Sequence, residues 1–418
     1  MMTLANGRHR MLIFALLILL GLALHLILWA YSEPPYLFGD FYKAYFPAAQ
    51  RVWELGPRDA FQHLEVGVGG FVNMPILVWS FVPLLAFGYA GAGWAFCAIG
   101  IASVIAAWWL LARMADPATH IAPVLAFLFL VDGPMVNSLR EGNSTHIVLF
   151  LLVLALTTWR GGLHFSTGLI LGLAALIKIP FLLFGVYFLL RGNWRIVAGG
   201  VSMLAAAFAL SLAVHGLQVN IAWFDGNVLA YVGRVIPAFN VQSIDAFLMR
   251  LSTGPEALFD WTAREPTGAH RVARWLIFIV LFGAIIWLMR RARRQPEAEL
   301  RSGTLTSRDY LEYCTILLLA IVVSPVSWSH YYLFALLPIG LYLGKRLPLP
   351  DDGITRWLMW LGFVLTALPI VLMPLEPDWV LTLASRTILS AWLFGGLLML
   401  VGLMRGLYYL PIARDRPA

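Results

Sequence analysis

"FSTGLILGLAALIKIPFLLFGVYFLLR", Phe165 to Arg191, sets long apolar runs on either side of one lysine and one proline. The run before Lys178 is apolar or small for about 13 residues, a helix of roughly 20 Å. That is short of the ~30 Å hydrocarbon core of a bilayer. Pro180 cannot extend the helix, because it has no N–H to offer the carbonyl four residues back. The stretch therefore predicts two short helices, 165–178 and 180–190, meeting at a break below one membrane surface. An ammonium at that depth costs at least ~2.5–3.5 kcal/mol on insertion scales. It calls for a wet cavity or a neighbouring anion. The plainer alternative is a lysine whose stem snorkels to the interface.

The rest of the chain agrees with a bilayer as solvent. Of 418 residues 61% are hydrophobic and 12% charged, with a mean hydropathy of +0.80, more apolar surface than a soluble core can hide. We read residues 1–418 as a single all-α, polytopic membrane domain. Apolar runs predict helices at 11–30, 91–112, 119–134, 144–159, 165–178, 180–190, 195–215, 272–290, 309–325, 330–344, 354–373 and 378–404, about twelve spans. The first run is longer than a signal-peptide core and ends in Trp29, so it reads as a retained helix. The net charge of +7 sits in short loops, the positive-inside pattern, and gives no reason for a nucleic-acid partner. Cys97 and Cys314 lie in apolar runs and predict no disulfide.

Charge parity sets the topology. Arg8 and Arg10 place the N-terminus in the cytoplasm. Arg113, Arg160, Arg191 with Arg195, the 290–294 arginines, Lys345 with Arg346, and Arg405 then share that side, provided that 71–89 does not cross. Pro75 and Pro83 interrupt 71–89, so it reads as a re-entrant or surface-lying segment rather than a thirteenth span. Both termini are then cytoplasmic. The outer loops 31–90 and 216–271 form one polar face, with re-entrant or juxtamembrane helices.

The polar residues that need a reason gather there. In "GDFYKAYFPAAQRVW", Gly39–Trp53, the spacing of Phe41, Tyr45, Ala48, Ala49 and Val52 predicts a helix lying flat at the interface. Asp40 stands at its N-cap, where a plain cap is worth about 1 kcal/mol. Tyr42 and Tyr45 would join an aromatic belt. "NSLREGNSTHIVLF", Asn137–Phe150, offers Arg140, Glu141 and Asn143, which a cap and an exposed ion pair would also explain. "IPAFNVQSIDAFLMRL", Ile236–Leu251, opens an amphipathic helix with Asn240, Gln242 and Ser243. "SPVSWSHYYLF", Ser324–Phe334, puts Ser324, Ser327, Trp328 and His330 between two apolar runs. Arg386 falls inside the last helix, about two turns below its outer end, and also calls for an anion or water. There is no HExxH, CxxC or Gly-rich phosphate loop, and no metal site is expected. The cations suit an anionic phosphate arriving from the lipid, and the carboxylate suits a base.

These motifs resemble glycosyltransferase family 87, of the GT-C superfamily. The matching pieces, in order, are "GDFYKAYFPAA", "EGNSTHIVLFLLVLAL" with "STGLILGLAALIKIPFLL", "FNVQSIDAFLMRL" and "SPVSWSHYYLFALLP". Two departures stand out: "FVNMPI" has one proline where the family has an aromatic-Pro-Pro motif, and His330 is followed by Tyr331 where two histidines are common. The resemblance implies a GT-C fold and inverting transfer of one sugar, mannose by default, from a polyprenyl-phosphate donor. The acceptor would be a hydroxyl of a lipid or envelope glycan at the outer face of the cytoplasmic membrane. It implies Asp40 as base, a donor phosphate near Lys178, His330 and Arg386, and no cofactor. Sugar or acceptor contacts would fall to Tyr42, Tyr45, Arg140, Glu141, Asn143, Asn240, Gln242, Ser243 and Trp328. A monomer in membrane lipid is expected. The competing class is a transporter or flippase of lipid-linked saccharides, which a lysine in a broken helix also suits. The two halves show no internal repeat, and the polar residues favour one face.

Overall fold

The computed structural model describes residues 37–62, 70–293, 305–369 and 378–410, with a few positions between 15 and 23. Most of the 11–30 run therefore lies outside the described residues. The chain is helical, with no strand among the described residues. Two isolated bridges pair Val235 with Arg264 and Val241 with Trp328. A π-turn at Phe41–Tyr45 leads into α1, Phe46–Leu55. Pro47, in the first turn of α1, has no N–H for the Lys43 carbonyl, which explains the loosened turn before it. Residues 75–87 form two 3₁₀ helices, Pro75–Ser80 and Val82–Phe87, each with proline in its first turn. The 71–89 stretch is thus no α-helix of its own, and it runs directly into α2, Gly88–Met114.

Next come α3, Ala122–Val131, and α4, Gly133–Glu141, bent 58° apart. Asp132 makes that bend, accepting the Met135 N–H at 2.8 Å as the cap of α4. Then follow α5, Thr145–Arg160, α6, His164–Ile177, α7, Leu182–Leu190, and α8, Trp194–His215. The second loop region holds α9, Leu217–Asn227, which the apolar runs did not announce, and α10, Ile244–Ser252. The late half has α11, Gly268–Arg293, α12, Ser307–Val323, α13, Leu336–Leu343, and α14, Gly353–Thr366. It closes with α15, Asp378–Ser385, and α16, Ala391–Tyr409.

Four helical stretches are long and apolar enough to cross a membrane, or five with the bent α3–α4 pair counted as one. The sequence-based count of about twelve is larger, because many of its apolar runs fold into shorter helices. Thr145–Arg160, His164–Ile177 and Ile179–Leu190 have 10–17 residues each. Helices α6 and α7 form a hairpin that turns at Lys178. Its open end is marked by Asn193 Nδ2, 3.2 Å from His164 Nδ1.

That open end belongs to an arginine-rich layer. Arg191 pairs with Asp309 and, at 3.3 Å, with Glu312. Arg293 reaches the fully buried Glu312 at 3.2 Å, and Tyr187 donates to it at 2.7 Å. Arg160 and Arg346 act electrostatically on neighbouring Tyr310. Arg346 Nε also donates to the Met114 carbonyl at 2.5 Å. The basic loops therefore meet at one end of the helices, and the sparsely charged Lys178 turn lies at the other.

Small residues bring the helices together. A Cβ on Gly168 of α6 would overlap the Ile196 carbonyl, and one on Gly199 of α8 would overlap the Phe165 carbonyl. Gly362 of α14 and Gly395 of α16 face each other's carbonyls, at 2.8 and 2.5 Å from the added carbon. Lipid tails are as apolar as leucine, so helices in a bilayer gain from this close backbone contact rather than from leaving water. Gly168→Val should push α6 off α8 and cost about 1–3 kcal/mol or more. Thermal unfolding in detergent is expected to show a lowered midpoint, with Gly185→Ala, where nothing lies within 4 Å, as the unaffected control.

Candidate active site

The site begins with a left-handed residue. Gly142, at φ +65°, ends α4 and lets Asn143 N–H return to the Ser138 carbonyl at 3.1 Å. Any side chain on Gly142 would press on Phe38 and Phe41. The chain around Phe38 lies on this turn, with Phe38 N–H donating to the Arg140 carbonyl at 2.6 Å. Phe41 is fully buried and stacks on Phe96, 5.2 Å between centroids. Tyr45 stacks on Phe81 at 4.5 Å. The π-turn is thereby clamped between α2, α4 and the 3₁₀ helices.

Asp40 sits at the head of that turn. It is itself helical, at φ −65° and ψ −38°, and its side chain makes no capping hydrogen bond. The cap explanation is set aside. Burial, reinforced by the Glu141 carboxylate, pushes its pKa up to about 6. Lys178, the Asn143 amide and Lys43 pull the other way without overcoming the burial. Glu141 lies over Gly39, its Oε2 2.7 Å from where a Cβ would stand, and pairs with Arg140 at 2.9 Å.

Lys178 arrives from the hairpin turn. Its backbone is extended, at φ −136° and ψ 96°, and its N–H still bonds the Ala174 carbonyl at 2.8 Å. Its Nζ lies 4.7 Å above the Tyr331 ring, a cation–π contact. Asp40 and Lys178 act on one another, and Lys178 also acts on His146 and His330. His330 Nε2 is buried without a hydrogen-bond partner, and its ring stacks against Trp328. Tyr45 approaches Ser144 Oγ at 3.5 Å. Burial and the Asp40 charge drive the Tyr45 phenol up to about 12, so it remains a hydroxyl.

Of the residues expected from sequence, Asp40, Tyr45, Glu141, Asn143, Lys178 and His330 come together, with Arg140 at the rim. Tyr42 does not face the group: its hydroxyl donates to the Tyr89 carbonyl at 2.8 Å and its ring stacks on Tyr89. Gln242 pins the 236–251 loop to the late half, donating to the Phe239 and Leu389 carbonyls at 2.7 and 2.5 Å. Ser243 caps α10, accepting Ala246 N–H at 3.1 Å. Asn240 accepts from the Trp261 indole at 3.0 Å. These three, with Trp328 in its bridge to Val241, hold a loop together.

Arg386 is a correction. Expected inside the final helix as a phosphate ligand, it lies instead at a break between α15 and the 3₁₀ turn Ile388–Ser390, and it is exposed. Ser385 and Thr387 hydroxyls bond back to the Thr382 and Leu383 carbonyls beside that break. Arg386 is not among the groups acting on Asp40, Lys178 or His330.

Two residues escaped the sequence reading. His146 and Ser138 are buried beside the group and joined at 2.8 Å. The available signal was a histidine at the start of an apolar helix, just after "GNST". Among the described residues no group of three or more His, Cys, Asp or Glu is placed to hold a metal ion. The arrangement can therefore present a half-buried carboxylate beside a fixed ammonium, with an imidazole nitrogen close by. If Lys178 and Glu141 set the Asp40 charge as described, Lys178→Met raises the Asp40 titration midpoint above about 6. Glu141→Gln lowers it, and carboxyl infrared titration of the purified protein reads both shifts.

The family profile of glycosyltransferase family 87 matches residues 71–325. The matched stretch carries Asn143, His146 and Lys178, while Asp40 precedes it and His330 follows it. No curated protein and no solved structure matches the chain.

Proposed function

Since the chain belongs to glycosyltransferase family 87 and is therefore a glycosyltransferase, we propose that it moves a single sugar, mannose first among the candidates, from a polyprenyl-phosphate donor. The acceptor is a hydroxyl of a lipid or envelope glycan. The observation that carries this reading is the meeting of Asp40 and Lys178, from distant parts of the chain, in one half-buried polar group. A phosphate delivered by a membrane-borne tail finds there an ammonium and the His330 imidazole. The incoming hydroxyl finds a carboxylate that burial has made more basic than an exposed aspartate.

The transfer follows from those positions. Asp40 accepts the proton of the acceptor hydroxyl as its oxygen attacks the anomeric carbon. The bond from that carbon to the phosphate oxygen breaks, and polyprenyl phosphate leaves with one more negative charge. Lys178 and His330 stabilise that charge where water is scarce. A single displacement inverts the anomeric centre. The gathering of arginines at the opposite end supports a cytoplasmic location for that end, and an outward-facing Asp40.

Asp40→Asn is expected to lower transfer by about 10²–10⁴-fold while leaving the protein folded. For the unsubstituted protein, the base works only when unprotonated, so kcat/KM is full above and falls as pH drops through about 6. Mass spectrometry of envelope glycolipids from a strain lacking the protein should show one missing sugar and an accumulated polyprenyl-phosphate donor. A full set of glycolipids with no donor accumulation would overturn the assignment.

A further inference from the structure

Three polar groups beside Asp40 take no part in the transfer just described. Ser138 and Asn143 are buried at the end of α4, and His146 at the start of α5. Ser138 Oγ stands 2.8 Å from Asn143 Oδ1 and 2.8 Å from His146 Nδ1. Asn143 Oδ1 also accepts the Thr145 N–H at 2.8 Å. These contacts leave one assignment of protons. An amide oxygen can only accept, so the Ser138 hydroxyl spends its single hydrogen on Asn143. His146 must then donate to Ser138 through Nδ1–H, which sets its tautomer. With two donors on Oδ1, the Asn143 amide is held in one orientation and has only its NH₂ left to offer. That nitrogen is buried and has no hydrogen-bond partner, and the Asp40 carboxyl is its polar neighbour. The far side of the imidazole is fitted as well: any Cβ on Gly100 of α2 would overlap His146 Nε2. The ring has a slot in the neighbouring helix.

We infer that Ser138 and His146 are positioning residues for the base, holding the Asn143 amide so that its N–H groups meet the Asp40 carboxylate as the acceptor hydroxyl approaches. The inference rests on the reading of Asp40 as base. It also takes Asn143 away from the sugar and gives its NH₂ to the carboxylate. The physical need is clear from what surrounds Asp40. Burial and Glu141 favour the protonated acid, while Lys178 and Lys43 favour the anion; the Tyr45 phenol remains neutral. A correctly turned amide adds a donor that stabilises the anion without adding a charge.

Infrared pH titration of the purified full chain in lipid nanodiscs tests this without any substrate. The protonated-carboxyl band that disappears in Asp40→Asn reports Asp40 alone, with a midpoint near 6 in the unsubstituted protein. Ser138→Ala and His146→Gln should each raise that midpoint by about half a pH unit or more. Ser138→Thr, which keeps the hydroxyl, should leave it in place. Asn143→Ala removes the amide itself and should raise it at least as far, which keeps the test open if the His146 variant does not fold. An unchanged midpoint in Ser138→Ala or in Asn143→Ala overturns the proposal. Sugar transfer by Asp40→Asn is measured separately. Near-normal turnover there would remove the base assignment, whatever the infrared midpoints show.

Discussion

The attraction between the Asp40 carboxylate and the Lys178 ammonium is what the rest of the structure is arranged to permit. Neither charge is at home where it lies. The lysine stands at the tip of a hairpin of short apolar helices, and the aspartate is half-buried beside Glu141 and Asn143. In a poorly screened setting each costs free energy alone and offsets part of the other's cost, while a lone buried charge left by removing one partner is expensive. Burial still wins at Asp40, which is why its carboxyl remains unusually basic. A pair that fully satisfied itself would make a structural salt bridge. An incomplete one leaves the carboxylate able to take a proton.

Two polar layers divide the work. At the arginine end, Glu312 is fully buried and answered by Arg191, Arg293 and Tyr187. These contacts tie α7, α11 and α12 together. At the Asp40 end several groups have no partner, including His330 Nε2, His146 Nε2 and Asn143 Nδ2. Buried polar atoms usually find partners, so three such nitrogens near one carboxylate mark groups that a bound molecule could meet. Between the layers, the glycine contacts of α6 with α8 and of α14 with α16 fix the helices at a spacing that side chains would not allow.

Much of this was legible in the residues. Lys178 followed by Ile179 and Pro180 reads as a helix end, and α6 does end there. The Asp40 loop stood out because a carboxylate beside a membrane run needs a reason. The family resemblance was also visible in short motifs, and the profile match over 71–325 agrees with it. What could not be read was the direction of individual side chains. Gln242 and Ser243 have the composition of a sugar site, yet Gln242 donates to the Phe239 and Leu389 carbonyls and Ser243 caps α10. Arg386 was placed by counting turns through a helix that breaks beside it. His146 and Ser138 were overlooked because their importance comes from a neighbour's glycine and from a turn, neither of which leaves a periodic signal.

The height of the Lys178 hairpin reaches beyond the site. Helix α6 has 14 residues, about 21 Å along its axis, and a fluid bilayer is some ~10 Å thicker. Lipid beside so short a hairpin would meet the mismatch by pinching inward or by admitting water. Under the proposed transfer, either response would shorten the climb of a lipid-carried phosphate to the lysine. If the donor is lipid-borne, as proposed, acyl-chain length in the surrounding bilayer would become a variable of the reaction.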